Sequence, residues 1–201
     1  SDSEILFSFA VGTELILQLE RLCRRNALES LKGIGKGVKL FLNTSAKAIE
    51  DPELRDDGFV RRVREKGLDS KDIVLEITEK LAVADFEMFK ELVAYLKHKG
   101  FSIAIDDMGA GYSSLQTVAE LRPDYLKYDM NLVRDIDKHL IKRDLLETLV
   151  PFAKRIEAVL IAEGIETKEE FETLKSLGIE LGQGYYVARP GLAFPSVERK
   201  V

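Results

Sequence analysis

Two rhythms of apolar and polar residues alternate along the chain. Short β-rich runs recur at 38–45 (VKLFLNTS), 73–79 (IVLEITE), 101–107 (FSIAIDD), 123–129 (PDYLKYD), 158–166 (AVLIAEGIE) and 179–190 (IELGQGYYVARP). The last reads as a short strand running into a loop. Between the runs, apolar residues fall at helical spacing. Phe89, Leu92, Val93 and Leu96 form one such stripe in 86–100, stopped by Gly100. A long helical stretch runs from about His139 to Glu157, with a kink predicted near Pro151. Thr167 with Glu170 three residues on is a capping box, and it opens a helix carrying Phe171, Leu174 and Leu177.

Strands that alternate with helices predict βαβ units and a parallel sheet, hence an α/β fold. Polar residues recur at one place in this pattern. Asn43, Glu76, Asp106, Asp107, Lys127, Glu163 and Gln183 all lie at or near the C-terminal ends of predicted strands. A barrel of alternating strands and helices keeps its active site there. An open doubly wound sheet would gather ligands at one switch point and would not recruit every strand. A TIM-like (β/α) barrel is therefore favoured. No linker, repeat or low-complexity segment interrupts the chain, so residues 1–201 read as one domain.

Composition adds constraints. The 201 residues are 45% hydrophobic and 32% charged, as a soluble globular domain is. The net charge of -5 argues against a nucleic-acid binder held by phosphate contacts. The single cysteine, Cys23, cannot form an internal disulfide and fits a reducing compartment. It sits in the amphipathic pattern LERLCRRNAL, where a structural thiol rather than a nucleophile is expected. The first residues are acidic, the reverse of a secretory leader, and no apolar run approaches the ~20 residues a membrane helix needs. A cytoplasmic location is expected. His98 and His139 stand among charges and read as solvated surface residues.

The carboxylates carry the chemistry. Glu76, Asp106, Asp107 and Glu163, with Asn43, make an all-oxygen set suited to hard divalent cations. Adjacent carboxylates are costly unless something positive lies between them. A metal pair meets that need and is a common device for phosphodiester cleavage. No histidine or cysteine joins the set, which disfavours zinc. Lys127 in the same mouth can hold a phosphate or orient the attacking water. Taken singly, a "DD" after a strand is more often a cap, and "GAG" more often a tight turn. Five strand ends each offering a polar residue point instead to a metal-dependent enzyme.

The ordered segments FLNTS, LEITE, IAIDDMGAGYSSL, PDYLKYD, IAEGIET and GQGYYVARP resemble the EAL domain family, bacterial phosphodiesterases that open cyclic di-GMP to linear pGpG. The resemblance covers nearly the whole chain. It implies a modified TIM-like barrel with one antiparallel strand. It implies two Mg²⁺ or Mn²⁺ ions held by Asn43, Glu76, Asp106, Asp107 and Glu163, with Asp106 bridging. Lys127 would then contact the hydrolytic water, and Glu166 and Gln183 would complete the pocket. The turn Met108, Gly109, Ala110, Gly111, Tyr112, Ser113 and Ser114 matches the family's regulatory loop, anchored by Glu79 and linked to a homodimer interface. Met108 stands where the family usually has Phe, and Ala110 where it usually has Thr.

The family's opening pair of strands, with its Glu-Ala-Leu and nearby Arg, has no counterpart here. The resemblance thus predicts an incomplete barrel, an N-terminally truncated EAL domain. Two activities stay open on this reading: hydrolysis of cyclic di-GMP, or a non-catalytic module that binds cyclic di-GMP or a partner protein. A GGDEF, sensory or membrane domain commonly accompanies the family in the parent protein.

Overall fold

The structure is a computed structural model that describes residues 9–10, 13, 15–31, 37–78, 86–109 and 115–191. The chain divides into two compact units, 1–103 and 104–201.

In the first unit, helix α1 (Ile16–Ser30) precedes strand β1 (Leu40–Thr44). Helices α2 (Pro52–Arg55) and α3 (Gly58–Glu65) lead to strand β2 (Ile73–Thr78) and helix α4 (Phe86–His98). β1 and β2 pair in parallel, Leu40 opposite Ile73 and Asn43 opposite Glu76. Every residue from Ile73 to Ile77 is buried, as in a parallel strand covered on both faces. The stripe predicted for α4 is buried at all four positions, and Phe59 of α3 stacks on Phe101 at 5.3 Å between ring centres.

The buried positions of helix α1 are Ile16, Glu20, Arg24 and Leu28, and Cys23 is exposed. Four-residue spacing makes this one stripe, and half of it is charged. Arg24, 2% exposed, pairs with Asp51 and reaches Glu20 at 3.5 Å. Glu20 in turn accepts the backbone N–H of Ser45 at 2.9 Å, two residues past Asn43. Asp51 also accepts from Arg21 and caps α2 through the N–H of Glu53. Buried charges persist only when paired in this way.

The boundary between the units falls within strand β3 (Ser102–Met108). Helix α5 (Leu115–Leu121) follows, then β4 (Tyr125–Tyr128), α6 (Met130–Val133), α7 (Leu140–Arg155), β5 (Val159–Ala162), α8 (Lys168–Ser176) and β6 (Leu181–Gly182). β3 to β6 pair in parallel in chain order. Ile105, Leu126, Ala162, Leu146 and Leu174 are among the buried core residues of this unit. The expected capping box is present: Thr167 accepts from the Glu170 N–H at 3.2 Å, and Glu170 returns the bond. His98 and His139 are exposed, as expected.

The α/β class with parallel strands is as anticipated. The sixth strand is shorter than the run that predicted it, only Leu181 and Gly182. Gly184 explains the stop. It adopts φ +153°, and a Cβ there would lie 2.2 Å from backbone atoms of Ile165. Only glycine lets the chain pass so close.

Candidate metal centre and ligand cleft

Two adjacent residues of a regular strand point to opposite faces. Asp106 and Asp107 escape that rule. The register runs Ile105 opposite Leu126 and then Met108 opposite Tyr128, so β3 carries one extra residue at this point. The insertion is a β-bulge, and Asp107 sits in it with φ +58°. Aspartate is one of the few residues other than glycine that tolerates this conformation. The Asp107 N–H donates to Asp106 Oδ1 at 3.0 Å, which steadies the turn.

The bulge turns both carboxylates toward Glu163, which follows β5. One oxygen from each of Asp106, Asp107 and Glu163 lies within 4.8 Å of the others. Lys127, on β4 between them, is 4% exposed. Its Nζ lies 2.9 Å from Asp106 Oδ1 and 2.6 Å from Glu163 Oε1. Gln183 Nε2 donates to Glu163 Oε1 at 2.7 Å. Four of the predicted site residues thus surround Glu163 within the second unit. In the contacts described, three carboxylates face one ammonium, a surplus of negative charge. A hard divalent cation fits that donor set: all oxygen, half-buried, and mutually close.

Asn43 and Glu76 lie in the first unit as register partners at the ends of β1 and β2, Asn43 exposed and Glu76 buried to 7% exposure. Glu166 is exposed and pairs with Arg134 at 3.1 Å. It lines a cleft of about 520 Å³ with Met130, Gly164, Gln183, Tyr185 and Arg189. Arg189 lies over the Tyr185 ring, 4.7 Å from its centre. Met108 is buried, its carbonyl accepts the Asp129 N–H at 3.2 Å, and Gly109 takes φ +102°. Glu79, Ala110, Gly111, Tyr112, Ser113 and Ser114 lie outside the described residues.

Arg134, Tyr185 and Arg189 were not singled out in the sequence. Arg134 falls in a charge-rich stretch with no spacing that marks it. Tyr185 and Arg189 follow Gln183 in the quoted GQGYYVARP segment, and that adjacency was the available signal.

The EAL domain family matches residues 3–190, and the chain belongs to it. Among curated relatives, the probable cyclic di-GMP phosphodiesterase PdeN of Escherichia coli K12 is 31% identical over 191 residues, covering 93% of this chain and 36% of PdeN. NbdA of Pseudomonas aeruginosa, a cyclic di-GMP phosphodiesterase, is 32% identical over 174 residues, covering 86% of this chain and 22% of NbdA. The chain therefore spans roughly a fifth to a third of the length of these relatives. A standalone EAL protein from Vibrio cholerae O395 in its c-di-GMP-bound form superposes with a TM-score of 0.86 at 30% identity, over 96% of this chain and 83% of that one. BlrP1 of Klebsiella pneumoniae, in a complex with calcium and cyclic di-GMP, gives a TM-score of 0.83 at 29% identity, over 92% of this chain and 48% of that one. A manganese and cyclic di-GMP complex of BlrP1 matches as well, at a TM-score of 0.81. Divalent cations thus accompany the ligand in structures of this fold.

Proposed function

We propose that this chain is a cyclic di-GMP phosphodiesterase domain that works with two divalent ions, Mg²⁺ or Mn²⁺. The observation that carries the reading is the bulge in β3. It gathers Asp106, Asp107 and Glu163 around one point, with Lys127 buried against two of them, in a chain of the EAL family. Asp106 is proposed as the bridging ligand. Asn43 and Glu76 are proposed as further ligands on the family likeness. The whole stretch 1–201 is read as a single EAL-type domain.

Bound cations would supply Lewis-acid polarisation of a phosphodiester and a lowered pKa for the attacking water. The chain's own groups do the rest. Lys127 is paired with two carboxylates and offers its ammonium to the water or to phosphate oxygen. Gln183 fixes the rotamer of Glu163. Glu166 and Gln183 stand on the wall of the cleft and present polar groups to the ligand. Water adds to one phosphorus, the P–O3′ bond breaks, the departing 3′-oxygen takes a proton, and linear pGpG results.

Two further readings accompany this one. Leu140, Ile141 and Leu145 lie exposed along α7, at 65%, 83% and 41%. An apolar strip of this kind supports a homodimer. Action in the cytoplasm, with any GGDEF or sensory domain elsewhere in the parent protein, is proposed on the family likeness. No helix among the described residues is long and apolar enough to cross a membrane.

The test is incubation of the chain with cyclic di-GMP and Mn²⁺ or Mg²⁺, with products separated by chromatography and binding measured in parallel with Ca²⁺. Accumulation of pGpG is expected. Binding without product would replace the enzyme with a binding module. Neither product nor binding would overturn the reading.

A further inference from the structure

Glu170 is 4% exposed at the start of α8. Three backbone N–H groups converge on its carboxylate. Oε1 accepts from Asp135 at 2.8 Å. Oε2 accepts from Glu166 at 2.9 Å and from Thr167 at 3.1 Å. A capping box needs only the bond to Thr167. The other two reach different loops: Asp135 belongs to the segment after β4, Glu166 to the segment after β5.

The same two loops meet at two more places. Arg134 Nη2 lies 3.1 Å from Glu166 Oε1. Gly164 adopts φ +68°, and a Cβ there would fall 2.4 Å from Met130 Cβ. Met130, Gly164 and Glu166 are also wall residues of the cleft. The Arg134 pair is exposed, so its contribution is small. The Glu170 carboxylate is buried and its bonds are charge-assisted, so it is the stronger tie.

The geometry points to Glu170 as a positioning residue that clamps the loops after β4 and β5 together and so sets the width of the ligand cleft. This inference rests on the reading that the cleft takes cyclic di-GMP. Glu170 touches no reacting atom. It acts through the backbones of Glu166 and Asp135, whose N–H groups it binds, while Gly164 lets the two loops approach closely at Met130.

Two variants separate clamping from capping. Glu170→Gln keeps one acceptor oxygen and puts an NH₂ group against an N–H of one of the two loops, so one loop loses its partner. Thr167→Ala removes the hydroxyl that accepts the Glu170 N–H and leaves all three bonds to the carboxylate. Cyclic di-GMP affinity with Ca²⁺ is measured by calorimetry, and amide hydrogen exchange is followed at Asp135 and Glu166 in the same proteins. Glu170→Gln should weaken binding about tenfold and speed exchange at one of these two amides, because displaced binding groups cost strongly in a preorganised site. Thr167→Ala should leave affinity and both amides near wild type while lowering stability, as loss of a cap does. Equal effects of the two variants, or no effect of Glu170→Gln, would overturn the clamp. If the wild-type chain binds no cyclic di-GMP, the ligand reading falls and the exchange comparison alone decides the clamp.

Discussion

The ammonium of Lys127 lies 2.9 Å from Asp106 Oδ1, in a position that is almost wholly buried. With its second contact to Glu163, it supplies positive charge to a group that would otherwise be mutually repelling. Lys127→Met removes that charge and the group proposed to orient water. Hydrolysis should fall by about 100-fold or more, the usual scale for a positioned proton-transfer or charge-bearing group. The melting temperature without added metal should fall as well. Steady-state rates and thermal melts check both; an unchanged rate would remove Lys127 from the chemistry.

The bulge at Asp107 places backbone strain at a proposed metal ligand. A non-glycine residue at φ +58° costs roughly 1–2 kcal/mol. Asp107→Gly relieves that strain and deletes one of three like charges. The metal-free chain should therefore become more stable, by about 1 kcal/mol, while the rise in melting temperature on adding Mn²⁺ shrinks. Thermal melts with and without Mn²⁺ read both effects. A variant that is less stable without metal would contradict the account of the bulge.

Arg24 is the cation of a buried network in the first unit, with Asp51 and Glu20 as partners. Replacing it with Met leaves two carboxylates buried without it. The expected loss is about 3–5 kcal/mol, the range for breaking a buried pair from one side. Urea unfolding measures it directly. A loss below 1 kcal/mol would show that water reaches the carboxylates.

The Glu170 carboxyl gives the pH dependence its sign. Burial pushes its pKa up, but the N–H groups of Asp135, Glu166 and Thr167 together outweigh burial and hold it below the ordinary 4.5. The folded state thus favours the charged form. Its contribution to stability is complete above the ordinary value and is lost as pH falls through that value toward the lower folded pKa. The stability gap between wild type and Glu170→Gln should therefore narrow below about pH 4.5. Urea midpoints across that range test this. A gap that widens on acidification would mean the carboxyl is protonated in the fold.

Much of this could be read in the sequence, and what escaped did so for physical reasons. The run Ile103–Ile105 announces a buried strand by its apolar continuity, the run at 73–79 a strand by the alternation of Ile73, Leu75 and Ile77, and the α4 stripe a helix by its period. Asp106, Asp107, Glu163 and Lys127 could be placed at strand ends before any coordinate. The bulge could not, because a one-residue register shift depends on pairing with β4 and leaves no local mark beyond the paired aspartates. Glu20 and Arg24 escaped because charged residues at helical spacing look like a solvent face. The distant Asp51, their mutual pairing and the Ser45 N–H make their burial tolerable. Glu170 was legible as a cap, but its bond to Asp135 spans 35 residues and belongs to tertiary structure.

The most direct test of the metal centre is Mn²⁺ titration followed by electron paramagnetic resonance, in which free Mn²⁺ gives the signal and bound Mn²⁺ does not. The wild-type chain should quench the signal at micromolar to millimolar metal, and Asp106→Asn should lose most of that quenching while keeping a folded spectrum by circular dichroism. Equal uptake by the two proteins would contradict the assignment of Asp106, Asp107 and Glu163 as the metal-binding group.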